Sequence, residues 1–243
     1  MAFYDHVDEL RTRLTRAVTV FFCGFLLAFF TFVEPILTFL RAPLFAVLPP
    51  ERQHLYFTSL FENFLTHLKV GAYAALFFLA PYFFYELWGF IAPGLHKREQ
   101  KMVVPFITAA TVFFLLGAAF AYFILFPVGF HYFVTYGAPS DIPMLTIDSY
   151  YGTCLKLLLL FGLAFELPVL IILLGFLGLV DAPTLRKHRR MSIIGITVIA
   201  ALFAPPDAVS MLILGIPLVL MYEGAIWVVH WLGMRRKEAA LKA

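Results

Sequence analysis

The sequence predicts an all-α polytopic membrane protein with six transmembrane helices, the fifth of them short, and both termini in the cytoplasm. Three observations predict it. The 243 residues are 62% hydrophobic and only 14% charged, whereas a soluble domain is about half apolar and about a quarter charged. A chain of this size cannot hide so much apolar surface from water, so lipid must cover part of it. The apolar residues fall into six runs long enough, or nearly so, to cross a bilayer. The cationic residues are distributed unevenly between the segments that flank those runs.

The first predicted span covers residues 15–33 and follows a charged stretch, MAFYDHVDELRTRL. That stretch is polar for too long to read as a cleavable leader, and the apolar stretch after it is not followed by a small-residue cleavage site. Residues 34–67 follow as an outer segment in which Pro43 reads as a turn former and 61–68 as a short helix. The second span, 70–88, ends at Trp88, Phe90 and Pro93, an interfacial aromatic anchor followed by a turn. The third span is 103–126, and the fourth is 153–177 after a second long outer segment. Pro168 should bend the fourth span. The fifth, 191–204, has 14 residues and rises only about 21 Å. It runs into Pro205 and Pro206, which prevent simple continuation. Asp207 then reads as the helix N-cap of the sixth span, 209–232. The chain reads as a single integral membrane domain without internal repeats.

Orientation follows from charge. Fourteen of the 18 Lys and Arg lie in the N-terminal segment, the 89–102 and 178–190 loops and the tail. The outer segments and span borders hold only Arg41, Arg52, Lys69 and Lys156. Cations accumulate on the cytoplasmic side of short loops, so both ends face the cytoplasm.

The net charge of +3 is small and no dense basic face is present, which argues against nucleic acid as a partner. GxSxG, HExxH and GxxxxGK[ST] are missing, and the seven His are scattered. The chain is therefore not expected to be an enzyme, and neither a cofactor nor a metal is expected. Cys23 and Cys154 read as two small core residues.

Three carboxylates are not required by the fold. Glu166 sits midway along the fourth span, where a charge costs roughly 2.5–3.5 kcal/mol. Either it functions there, or it is a protonated group hydrogen-bonded between helices. Glu9 (in DELRTR) and Glu99 (in HKREQK) lie among basic residues. They read either as solvated charges or as paired acids able to accept guanidinium forks.

Four motifs in order resemble the TatC family, the multi-span subunit of the twin-arginine protein translocase. They are HVDELRTRL at 6–14, WGFIAPGLHKRE at 88–99, FGLAFELP at 161–168, and FAPPD followed by IPLVLMYE at 203–223. The resemblance implies a concave helical bundle in a bacterial cytoplasmic membrane. It implies a receptor for signal peptides carrying consecutive arginines, which exports folded proteins with the proton-motive force. Its implied partners are TatA- and TatB-type single-span proteins, further copies of itself, and lipid. Glu9 and Glu99 would contact the arginines, with Leu10 and Arg11 shaping the surface. Glu166 would act within the membrane, and Pro43 would be a sensitive outer-loop position. Met211 and Ala204 depart from the polar residues common in the family at that end. The rival reading from the residues is a proton- or cation-coupled secondary transporter with Glu166 as its site.

Overall fold

The computed structural model describes residues 3–91, 103–136, 144–203 and 208–241. Pro93, Glu99, Ala204, Pro205 and Asp207 lie outside the described residues. Among the described residues eleven α-helices follow one another: α1 Phe3–Thr31, α2 Val33–Phe45, α3 Glu62–Phe78, α4 Ala80–Ile91, α5 Val103–Phe120, α6 Phe126–Thr135, α7 Ile147–Ala164, α8 Leu167–Phe176, α9 Ala182–Lys187, α10 Arg189–Phe203 and α11 Ala208–Leu241. Among the described residues four stretches are long and apolar enough to cross a membrane: Val7–Thr31, Val103–Thr135, Ile147–Phe176 and Ser210–Met234. A fifth is the bent pair Glu62–Phe78 and Ala80–Phe90, with a 57° break. The remaining apolar helix, α10, has 15 residues and rises about 22 Å. It holds the residues expected as the short fifth span, 191–204, and is not among the helices long and apolar enough to cross.

The helix breaks have identifiable causes. Pro81 follows the junction of α3 and α4 and cannot donate a backbone hydrogen bond, so the span expected to run straight through 70–88 bends at Leu79. Pro168 stands in the first turn of α8, and the fourth span accordingly breaks at Phe165 and Glu166, as its position implies. Pro127 opens α6 without ending the span. A π-helical turn at Ala121–Leu125 absorbs it, and the helix continues to Thr135, beyond the expected end at 126. Gly178, at φ 75°, ends α8 in a Schellman turn: Leu179 N–H donates to Leu174 O and Gly178 N–H to Gly175 O. Asp181 then caps α9, accepting from the Thr184 N–H at 3.1 Å.

Two compact units emerge, Met1–Thr111 with Ala119–Leu159, and Val112–Ala118 with Leu160–Ala243. In the first, α1 lies along α3 and α4. The outer segment is more helical than expected. Pro43 is no turn former but a buried residue inside α2. An interior proline removes the N–H that would serve the carbonyl four residues back, here that of Phe39. The Tyr122 hydroxyl donates to Phe39 O at 2.9 Å instead, and its ring stacks on Phe39 at 4.0 Å. Tyr150 and Tyr151 donate to Leu40 O and Leu37 O at 2.7 and 3.1 Å. Three phenols thus hold α2 by its backbone. Residues 61–68 are no separate helix either, because α3 begins at Glu62 and runs unbroken into the span.

Glu62 ties this segment together. Its Oε2 accepts from the Thr58 N–H and hydroxyl at 2.6 and 2.8 Å, and its Oε1 accepts from the Asp148 N–H at 3.0 Å. A backbone pairing of Tyr56 with Leu145 and Ile147 closes the same loops.

In the second unit, Gly117 and Gly162 interlock. A Cβ on Gly117 would lie 2.3 Å from Phe161 O, and one on Gly162 would lie 2.8 Å from the Phe114 ring. Such close backbone approach is how membrane helices associate without a hydrophobic driving force between them. Gly175 likewise leaves room for Val229 between α8 and α11. Cys154 is buried, but Cys23 is exposed. The reason is that α1 buries only 6% of its apolar window within the chain, so its small residues also face outward.

Two predictions follow from the outer segment. Tyr122→Phe leaves the Phe39 carbonyl without a donor and is expected to cost about 1–3 kcal/mol, read as a lowered unfolding midpoint in detergent. Pro43→Ala restores a backbone donor, so the same change should cost less in that background, and equal cost in both would refute the pairing. The second concerns Glu62, whose two oxygens accept, among the described residues, only from the Thr58 and Asp148 donors and the Ser59 N–H. Glu62→Gln turns one of those acceptors into a donor facing an N–H and should lower the unfolding midpoint in detergent, and an unchanged midpoint would exclude the role.

Candidate functional site

The N-terminal turns of α1 carry the first predicted acid. Glu9 and Arg13 are four residues apart and share one helix face. The Glu9 Oε1 accepts from Arg13 Nε at 3.0 Å and from Nη2 at 2.8 Å. The remaining terminal nitrogen of Arg13, Nη1, donates to Glu86 Oε2 on α4 at 3.0 Å. Glu86 is buried, and its other oxygen accepts from the Tyr82 hydroxyl at 2.9 Å. One guanidinium therefore joins two carboxylates on two helices.

The local sequence explains the fit. Tyr82 and Glu86 stand four apart on α4, so the phenol reaches back along the helix to the carboxylate. Gly89, one turn later, lies under Arg13: a Cβ there would come within 2.2 Å of Nη1. Trp88 is buried and stacks on Phe106 at 5.2 Å, which fixes the end of α4 against α5.

Of the residues singled out from sequence, Glu9 is partly exposed at 21% of its side chain. Leu10 and Arg11 are exposed on the same helix, and Phe90 is half-buried at the end of α4. Glu99 and Pro93 lie outside the described residues, so the expected pairing of Glu9 with Glu99 has no counterpart among them. The partner that the structure does bring to Glu9 is Arg13, and through it Glu86, neither of which the sequence reading singled out. A signal was present: Glu86 is a carboxylate inside an apolar run, the same feature that marked Glu166.

Glu166 lies at the junction of α7 and α8. It is buried at 8% exposure, and its Oε1 has no hydrogen-bond partner among the described residues. The break at Pro168 leaves this carboxyl where the helix path shifts. Met211 lines an apolar groove of about 270 Å³ between α10 and α11, with Thr197, Ala200, Leu212, Gly215 and Ile216. Its walls match the apolar departure noted in the sequence. Among the described residues there is no group of three or more His, Cys, Asp or Glu able to hold a metal ion.

Comparison with known proteins gives a consistent answer. The family model for the Sec-independent protein translocase protein (TatC) matches residues 5–217. The Sec-independent protein translocase protein TatC of Desulforapulum autotrophicum is 38% identical over 224 residues, covering 92% of this chain and 82% of that protein. That of Campylobacter jejuni is 36% identical, covering 93% and 92%. A crystal structure described as the twin arginine translocase receptor TatC superposes with a TM-score of 0.78 at 30% identity, covering 92% of this chain and 97% of that one. With a family match over residues 5–217 and relatives 36–38% identical over most of its length, this chain belongs to the TatC family of protein translocase components.

Proposed function

We propose that this chain is the receptor and core subunit of a twin-arginine translocase. It sits in a bacterial cytoplasmic membrane with both termini inside, binds Arg-Arg signal peptides at its cytoplasmic face, and works with TatA- and TatB-type single-span proteins and further copies of itself. The observation that carries the reading is the state of Glu9. It lies at the polar start of α1, partly exposed, and Arg13 engages only one of its two oxygens. A carboxylate so placed is an acceptor for an incoming guanidinium.

Arginine suits such a site better than lysine. Its planar fork presents several N–H donors in fixed geometry, while a lysine ammonium offers a compact, strongly hydrated charge. Glu99, in the following cytoplasmic loop, is the natural acceptor for the second arginine. Leu10 and Arg11, exposed beside Glu9, offer the peptide an apolar and a cationic border. Glu166, buried with an unpartnered oxygen, is the polar point that the apolar part of the peptide, or a partner helix, would meet within the membrane. Pro43 acts at a distance from this surface, through the ordered outer segment it shapes.

Photocrosslinking of a labelled twin-arginine peptide to the full chain in membranes tests the reading against a twin-lysine control. The arginine peptide should label preferentially. Glu9→Ala and Glu99→Ala should each raise the half-saturating peptide concentration by more than about tenfold. Equal labelling by the two peptides would overturn the assignment. Orientation is checked separately: a tag on the N-terminus should be protected from added protease in right-side-out cells, and cleavage would remove both the topology and the receptor reading.

A further inference from the structure

The twin-arginine reading uses Glu9 but leaves its neighbour Glu86 without a task. Glu86 is only 7% exposed, yet both of its oxygens are committed, Oε2 to Arg13 Nη1 at 3.0 Å and Oε1 to the Tyr82 hydroxyl at 2.9 Å. Arg13 in turn directs both Nε and Nη2 at the single oxygen Oε1 of Glu9, at 3.0 and 2.8 Å. No hydrogen bond from the described residues reaches the other oxygen, Oε2.

This is not the arrangement a guanidinium adopts when left alone with a carboxylate. An arginine fork commonly takes both oxygens through two parallel bonds. Here the third nitrogen is drawn the other way by Glu86, and Gly89 supplies the space through which it passes. We propose that Glu86 is a positioning residue for peptide recognition: by holding Arg13, it keeps one oxygen of Glu9 bare for the incoming arginine. The proposal rests on the signal-peptide reading above and names the residue that readies its acceptor.

The consequence is a competition. With the Glu86 charge removed, Arg13 loses its second anion and can close on both oxygens of Glu9. An internal guanidinium then occupies the place meant for the ligand. A defect of this origin must be relieved when Arg13 is also removed, whereas a defect in packing alone must not.

The experiment uses the full chain in membranes, the same labelled twin-arginine peptide, and the variants Glu86→Gln and Glu86→Gln with Arg13→Gln. Glutamine keeps the shape of the side chain and can still hydrogen-bond Tyr82. The single variant should need about tenfold more peptide for half-saturation, the scale of one charge-assisted hydrogen bond, and the double variant should recover at least about threefold of that loss. Wild-type affinity in the single variant, or a double variant as weak as the single, would overturn the proposal. Glu86→Asp, whose carboxylate is withdrawn by one methylene, repeats the comparison under the same criteria if the Gln variant fails to accumulate. A wild-type chain that labels equally with arginine and lysine peptides would instead sink the receptor reading, an outcome distinct from either of these.

Discussion

A helix inside lipid must satisfy its own backbone, because no water is present to do so. A proline inside a helix breaks that rule once, and at several positions the fold shows how the breach is met. Pro43 orphans the Phe39 carbonyl, and the Tyr122 hydroxyl reaches it at 2.9 Å. Pro81 is accommodated by a 57° bend, Pro127 by a π-helical turn, and Pro168 by a break of one turn at Glu166. The repairs shape function as well as stability. The bend after α3 sets the course of α4, which brings Glu86 to Arg13. The break before α8 sets Glu166 at a point where the helix path shifts.

The charged cluster obeys a related constraint. A buried carboxylate such as Glu86 is costly unless it is paired and hydrogen-bonded. Arg13 and Tyr82 meet that need. The same guanidinium also reaches Glu9, so two acids share one cation, and the more exposed of the two keeps an oxygen without a donor among the described residues. In the proposed receptor, stability and recognition are thereby coupled: the pair that makes burial of Glu86 tolerable also holds the acid proposed to meet the peptide. Removing one member of a buried pair typically costs 3–5 kcal/mol, because the other charge is left uncompensated.

Much of this was legible along the chain. Apolar run lengths located the long apolar helices, and Pro168 marked the break near Glu166. Glu9 stood out from its basic neighbours. What escaped was three-dimensional. Pro43 reads as a turn because proline is a helix breaker in isolation, and only Tyr122, 79 positions away, makes it acceptable inside α2. Glu86 passed unnoticed because its partner Arg13 lies 73 residues earlier. The third span was expected to end at 126, but the helix runs on through a π turn, which depends on how the chain packs, not on local propensity. Cys23 was read as a core residue from its apolar surroundings, although apolar surroundings in a membrane protein do not distinguish the interior from the lipid-facing side.

The helical membrane class was legible in composition and apolar run length, and the family resemblance in motif order. These are local properties: a span needs only enough consecutive apolar residues, and a motif needs only its own letters. Which carboxylates meet, which carbonyls lose and regain a donor, and which oxygen of Glu9 stays bare were settled by packing. Each of those depends on atoms far apart in sequence approaching within about 3 Å, and no pattern within one helix specifies that distance.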